Sequence, residues 1–364
     1  MRTSLDSESK NLIEQTLRRF LMDYCDPSAR RARLADDVVD YRLHWSTLAD
    51  LGVLALPFDE ASGGLGGSSA DVADAIRVLA GGLILEPLIE AAVIAGGILA
   101  APGTSANADE SVASLIDGSA VTVLLGGRNI DELKCENTDS GLRLSGRLRA
   151  VPYAAEADHW LIAAEFDDGT PVICRLRASD LTATFSTYRL MDGRPAADVI
   201  LDDVVVPRDC VLLVGVPAGQ ALQRASFESI NAYCADAVGV MERSVAVTGE
   251  YLCTRIQFGT PLAKFQALQH RFVDMHMAYM ESLAISRRLA TALDLVDDVE
   301  LASLGAATVH VISRAARSIG HEAIQLHGAI GVTDELVVSH YNARLAVLAS
   351  TLQNWAPRAI ELTE

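Results

Sequence analysis

The sequence predicts a mainly helical α+β fold in three successive parts: a helical region over 1–117, a small β domain (barrel or sandwich) over 118–217, and a four-helix bundle over 218–364. Three observations carry that expectation. Half of the residues are apolar but only 5% are aromatic, a balance suited to cores of Leu, Val, Ile and Ala such as helical bundles use. The hydrophobic period changes from helical to alternating near residue 118 and changes back near 218. Finally, Cys234, Val238, Met241, Val245, Thr248 and Leu252 recur at steps of four and three, which marks one long buried stripe.

In order along the chain, the stretch from about Ser7 to Ala101 keeps helical spacing. Its breaks fall at Asp26-Pro27, at Leu56-Pro57 and in the glycine-rich loop Ser62 to Ser69. From Ser119 to about Pro217 short alternating runs follow: VTVLLGG, GLRLSGRLRAV, HWLIAAEF, PVICRLR and ADVILDDVVV. Turn signals such as Asp139-Ser140-Gly141 and Asp167-Asp168-Gly169 separate them. After Pro217-Ala218-Gly219 a long helix runs towards Arg255, two more occupy roughly Leu262 to Leu295 and Val299 to Gly328, and a last one reaches the C-terminus.

Composition narrows the function. A formal charge of -18 with no basic cluster repels a nucleic-acid backbone or an anionic membrane surface, so neither is expected as a partner. An anionic small ligand remains compatible where local arginines or helix N-termini meet it. Six scattered cysteines without a CxxC pair argue against a structural zinc or a disulfide scaffold and fit reduced thiols in a cytoplasmic protein. The longest apolar run, Ala91 to Ala101, is broken by Gly96 and Gly97 and is too short to span a bilayer. His270, His276, His310, His321 and His327 fall on predicted helices without acidic partners at ligand spacing, so no metal is assigned. Met275, Met277 and Met280 follow helical spacing and read as core.

The first chemically informative run is Arg255-Ile256-Gln257-Phe258-Gly259-Thr260-Pro261-Leu262, continuing through Phe265-Gln266-Ala267-Leu268-Gln269-His270-Arg271 to Asp274-Met275. A helix ends there, turns on Gly and Pro, and begins again, which presents an Arg and an aromatic ring at a corner. The second run is Ala323-Ile324-Gln325-Leu326-His327-Gly328-Ala329-Ile330-Gly331-Val332-Thr333-Asp334-Glu335. Together, in this order and spacing, they resemble the two flavin-contacting motifs of the acyl-CoA dehydrogenase family, the second being similar to its Gln-x-x-Gly-Gly-x-Gly segment. Weaker similarity covers Leu142 to Asp158 and the Leu51-Gly52 region.

The resemblance implies FAD as cofactor, an acyl-CoA thioester as substrate, an electron-transfer flavoprotein as electron acceptor, and a homo- or hetero-oligomer, dimer or tetramer. It implies that Arg255 meets the FAD pyrophosphate of a neighbouring subunit, because a guanidinium pairs two phosphate oxygens at once. Gln257, Phe258 and Gln266 would line the same cofactor. Gln325, Gly328 and Ala329 would pack close to its adenosine half, with Ala329 standing where the family usually has a second Gly.

The family's chemistry also requires a carboxylate over the thioester α-carbon. Where many members carry that Glu, this chain has Leu352 and Gln353. Where others place it, on the helix before the first motif, Ser229 stands, with Glu228 adjacent and Asp236 seven residues on, about 10 Å further along the same face. Glu228 and Asp236 are therefore the candidate bases. Their alternative roles are a solvated helix-start residue favoured by the dipole for Glu228, and an ion pair with Arg243 or another internal cation for Asp236. The family's flavin-covering stretch reads Val123-Leu124-Leu125-Gly126-Gly127-Arg128 here, without its hydroxyl and acidic residues.

This base-poor pattern is similar to the smaller subunits of heteromeric acyl-CoA dehydrogenases that actinobacteria and proteobacteria use on steroid side chains, ring fragments and dicarboxylic acyl-CoAs. Two readings stand side by side: a dehydrogenase subunit with its own base, and a non-catalytic partner whose Arg255 corner completes a larger subunit's FAD site. A third is oxidation by molecular oxygen on the same scaffold.

Overall fold

The computed structural model describes residues 4–36, 38–104, 106–126, 133–180 and 182–361. The N-terminal part carries helices α1 (Ser7–Tyr24), α2 (Pro27–Ala35), α3 (Trp45–Asp50), α4 (Ser69–Ala80), α5 (Gly96–Leu99) and α6 (Ala106–Ile116), with a π-helical turn over Ile89–Ala95 leading into α5. The starts follow the expected punctuation. Asp26 caps α2 ahead of Pro27, and Ser68 with Asp71 forms a capping box at α4.

Among the described residues eight strands follow: β1 (Thr122–Leu125), β2 (Leu133–Thr138), β3 (Gly141–Pro152), β4 (His159–Phe166), β5 (Pro171–Arg177), β6 (Thr184–Arg189), β7 (Pro195–Val206) and β8 (Val211–Val214). They form one sheet in the order β6-β7-β3-β2-β4-β5-β8, with β1 pairing β4 in parallel. Both faces of β4 and β5 are buried, so their sequences read as nearly continuous apolar runs rather than strict alternation.

Helix α7 (Val216–Thr254) is 39 residues long and forms the axis of the C-terminal part. All six residues of the predicted stripe are buried along it. It packs against α4, α9 (Asp298–His327) and α10 (Val337–Glu361), with α8 (Gln266–Ala292) beside it. Gly239 permits the close approach of α4: a Cβ there would fall 2.1 Å from the Arg77 carbonyl oxygen.

Where the three parts meet, charges are buried rather than excluded. Asp192 and Arg194 from the β6–β7 turn, Glu90 from the π-helical turn, Asp236 from α7 and Arg344 from α10 are all buried. Arg194 Nε donates to Asp192 at 2.7 Å and Arg344 Nη1 donates to the same carboxylate oxygen at 3.0 Å. Arg194 also pairs with Glu90 at 3.5 Å, and the Tyr233 hydroxyl donates to Glu90 at 3.2 Å. Burial acts to raise the Asp192 carboxyl, but Arg194 and Arg344 outweigh it and hold it below the ordinary carboxylate range.

Candidate functional site

The corner after α7 is built by a two-residue hairpin. Arg255 leaves the helix in an extended conformation with its N–H donating to the Tyr251 carbonyl. Strands β9 (Ile256–Gln257) and β10 (Thr260–Pro261) then pair antiparallel. The turn residues Phe258 and Gly259 have φ of 55° and 79°, both positive as a type I′ turn requires. For Phe258 that backbone is strained, and the residue is 91% exposed to solvent, its ring lying edge-on to Phe265 with centroids 6.1 Å apart. Strained residues and bare aromatics of this kind cluster at ligand sites.

Arg255, Gln257 and Gln266 are exposed alongside it, and Arg255 makes no ion pair with any described residue. The second run ends on the same side. His327 closes α9, Gly328 turns with φ of 67°, and Gln325, Gly328 and Ala329 are exposed. Nothing lies within 4 Å of where a Cβ on Gly259 or Gly328 would sit, so both backbones face open space. The two runs meet through Tyr251 and His327, whose rings stack at 4.3 Å. Thus a free guanidinium, an exposed ring and approachable backbone stand together at one outer edge. They fit a planar anionic group such as FAD lying across this surface, and do not enclose one within the chain.

The candidate bases lie elsewhere. Along α7, Asp236 is about 28 Å and Glu228 about 40 Å from Arg255 at 1.5 Å per residue. Asp236 is buried and both of its oxygens are taken by Arg344, from Nη2 and, at 3.3 Å, from Nε; Arg344, not Arg243, is the internal cation. Glu228 is not a solvated helix-start residue: it lies more than three turns into α7, is buried, and accepts from Arg224 at 2.6 Å and Ser69 at 2.9 Å. Asp294 shares the same Arg224 and Ser69. The Ser229 hydroxyl donates back to the Ala225 carbonyl at 2.6 Å, Leu352 is buried and Gln353 is exposed.

Of the stretch expected over the flavin, Val123 to Leu125 form β1 and Gly126 turns out of it, whereas Gly127 and Arg128 lie outside the described residues. Below the corner, α7 and α8 part around an open groove of about 450 Å³ whose walls include Glu242, Glu250, Phe272 and Tyr279. Glu242 is paired with Arg77 there and Glu250 adds a further carboxylate, so the lining supplies no lysine or arginine for a phosphate-bearing ligand. Among the described residues no group of three His, Cys, Asp or Glu side chains is placed to hold a metal, no helix is long and apolar enough to cross a membrane, and the six cysteines are free.

The chain thus combines a helical region, a β sheet and a helical bundle with an open aromatic and cationic corner after α7. Residues 226–351 match the description "Acyl-CoA dehydrogenase, C-terminal domain" and residues 7–119 match "Acyl-CoA dehydrogenase, N-terminal domain", and the chain belongs to that family. The family supports an oxidoreductase with FAD as cofactor. Acyl-CoA dehydrogenase IpdE2 of Mycobacterium tuberculosis is 25% identical over 97% of this chain and 95% of its own length. The ChsE4-ChsE5 complex from the same organism contains a chain 22% identical with a TM-score of 0.85, covering 99% of this chain and 97% of that one. PigA with FAD and proline gives 20% identity and a TM-score of 0.86 over the full length of both chains.

Proposed function

We propose that this chain is a subunit of an FAD-dependent acyl-CoA dehydrogenase assembly that desaturates an acyl-CoA thioester between its α and β carbons. It contributes the Arg255–Phe258 corner to a flavin held at a subunit boundary, and the α-proton is removed by a carboxylate of another chain. When bound, FAD supplies the two-electron acceptor, and an electron-transfer flavoprotein is the class of partner that reoxidises it. Arg255 would pair the pyrophosphate, Gln257, Phe258 and Gln266 would line the cofactor, and Gln325, Gly328 and Ala329 would let it approach the backbone of the second run.

The observation that carries this reading is the state of the two acids. A proton-abstracting carboxylate needs a free lone pair aimed at the substrate, yet Asp236 is clasped by Arg344 and Glu228 is shared between Arg224 and Ser69. The cofactor corner, by contrast, is fully presented. That a solved relative is itself a complex of two differently named chains supports a heteromer. In the purified assembly, Glu228→Gln on this chain is expected to leave acyl-CoA-dependent dye reduction within about threefold of wild type. A fall of about a thousandfold or more, the scale on which essential acid–base groups act, would make Glu228 the base and this chain self-sufficient.

A further inference from the structure

The geometry points to Tyr251 and His327 as a positioning clamp that locks the two flavin-facing runs to each other, so that neither holds its ligand-ready shape without the other. This rests on the reading of the corner given above. Tyr251 stands on the last turn of α7, where its carbonyl accepts the Arg255 N–H at 2.8 Å and so sets where the chain leaves the helix. His327 is the last residue of α9, immediately before the Gly328 turn.

Three contacts join or brace the pair. The rings stack at 4.3 Å with 30° between their planes. The Tyr251 hydroxyl donates to the His327 carbonyl at 3.3 Å, one of the helix-end acceptors that no N–H of α9 can satisfy. The His327 Nδ1 lies 2.8 Å from the Ala323 carbonyl, which only accepts, so that nitrogen carries the proton and the ring is fixed in plane. Burial holds the imidazole below its ordinary range, in keeping with a neutral stacking partner. His327 is itself buried, whereas Arg255, Gln257, Gln325 and Gly328 around it are exposed. The clamp is thus the rigid part beneath an otherwise open edge, and the two runs it joins are 76 residues apart in sequence at these contacts.

Amide hydrogen exchange on the purified chain, read at 256–261 and 328–332, tests the coupling without any cofactor. His327→Leu, in the second run, is expected to speed exchange in the 256–261 hairpin about five- to tenfold, and Tyr251→Leu to do the same at 328–332, the scale of one lost aromatic pair. Tyr251→Phe and His327→Phe keep both rings and are expected to stay near wild type in the opposite run, which separates the contact from general misfolding. FAD titrated into the assembly should bind more weakly to the two Leu variants by a similar factor, and the double variant no worse than the weaker single one. Exchange that rises only in the substituted run, or equally throughout the bundle, overturns the clamp. Coupled exchange with unchanged FAD affinity overturns its positioning role if Arg255→Glu still weakens FAD. If Arg255→Glu is also without effect, the coupling stands and the assignment of the corner falls.

Discussion

Arg344→Ala is expected to destabilise the chain by about 3–5 kcal/mol, the cost of breaking a buried ion pair from one side. Arg344 comes from α10, yet it serves α7 through Asp236 and the β6–β7 turn through Asp192. Removing it leaves Asp192 still bonded to Arg194, but leaves Asp236 buried without its directly bonded cation, with only a longer-range attraction to Arg194. Urea unfolding should show a lower midpoint, and Arg344→Ala/Asp236→Leu should recover part of the loss because no orphan charge remains. A single-variant loss under about 1 kcal/mol would place these charges in water after all.

The pH dependence follows from the Asp192 direction. Its folded carboxyl lies below the ordinary range, so its contribution is fully present above about pH 3.9, the unfolded value, and disappears as pH falls through the depressed folded value. Arg344→Ala should raise the pH at which acid unfolding begins.

Arg255→Glu is expected to weaken FAD binding in the assembly by about 30- to 150-fold while leaving unfolding unchanged. A charge-assisted hydrogen bond to phosphate contributes about 2–3 kcal/mol, and the new carboxylate adds repulsion. Stability should not move because Arg255 is exposed and makes no ion pair with a described residue. Arg255→Lys restores the charge but not the planar fork, so an intermediate affinity is the expected result of a flavin-fluorescence titration.

Much of this was legible in the residues. The stripe from Cys234 to Leu252 announced α7, and the alternating runs announced β1, β3, β4, β5 and β7. Strands β2 and β6 were not legible: LKCENT carries four polar residues and becomes a strand by pairing β3, and TFSTYR is an exposed edge strand recruited by β7. The corner was legible because one short segment encodes its Arg, Phe, Gly and Pro. The buried ionic cluster was not. Its members come from positions 90, 192, 194, 236 and 344, and only folding brings them within bonding distance. That is also why Asp236, a plausible base in sequence, is an occupied ion-pair partner in space. The Tyr251–His327 stack escaped for the same reason, since nothing in either run names the other ring.

In the proposed assembly this chain presents a flavin corner but relies on another chain's carboxylate. The direct measurement is the visible absorbance spectrum, with FAD quantified per chain, of the chain alone and of the assembly with its co-purifying partner, before and after adding an acyl-CoA. The expected result is a chain that shows no substrate-induced bleaching by itself and an assembly that holds FAD and bleaches. One FAD per chain that bleaches with acyl-CoA in the absence of any partner would contradict it.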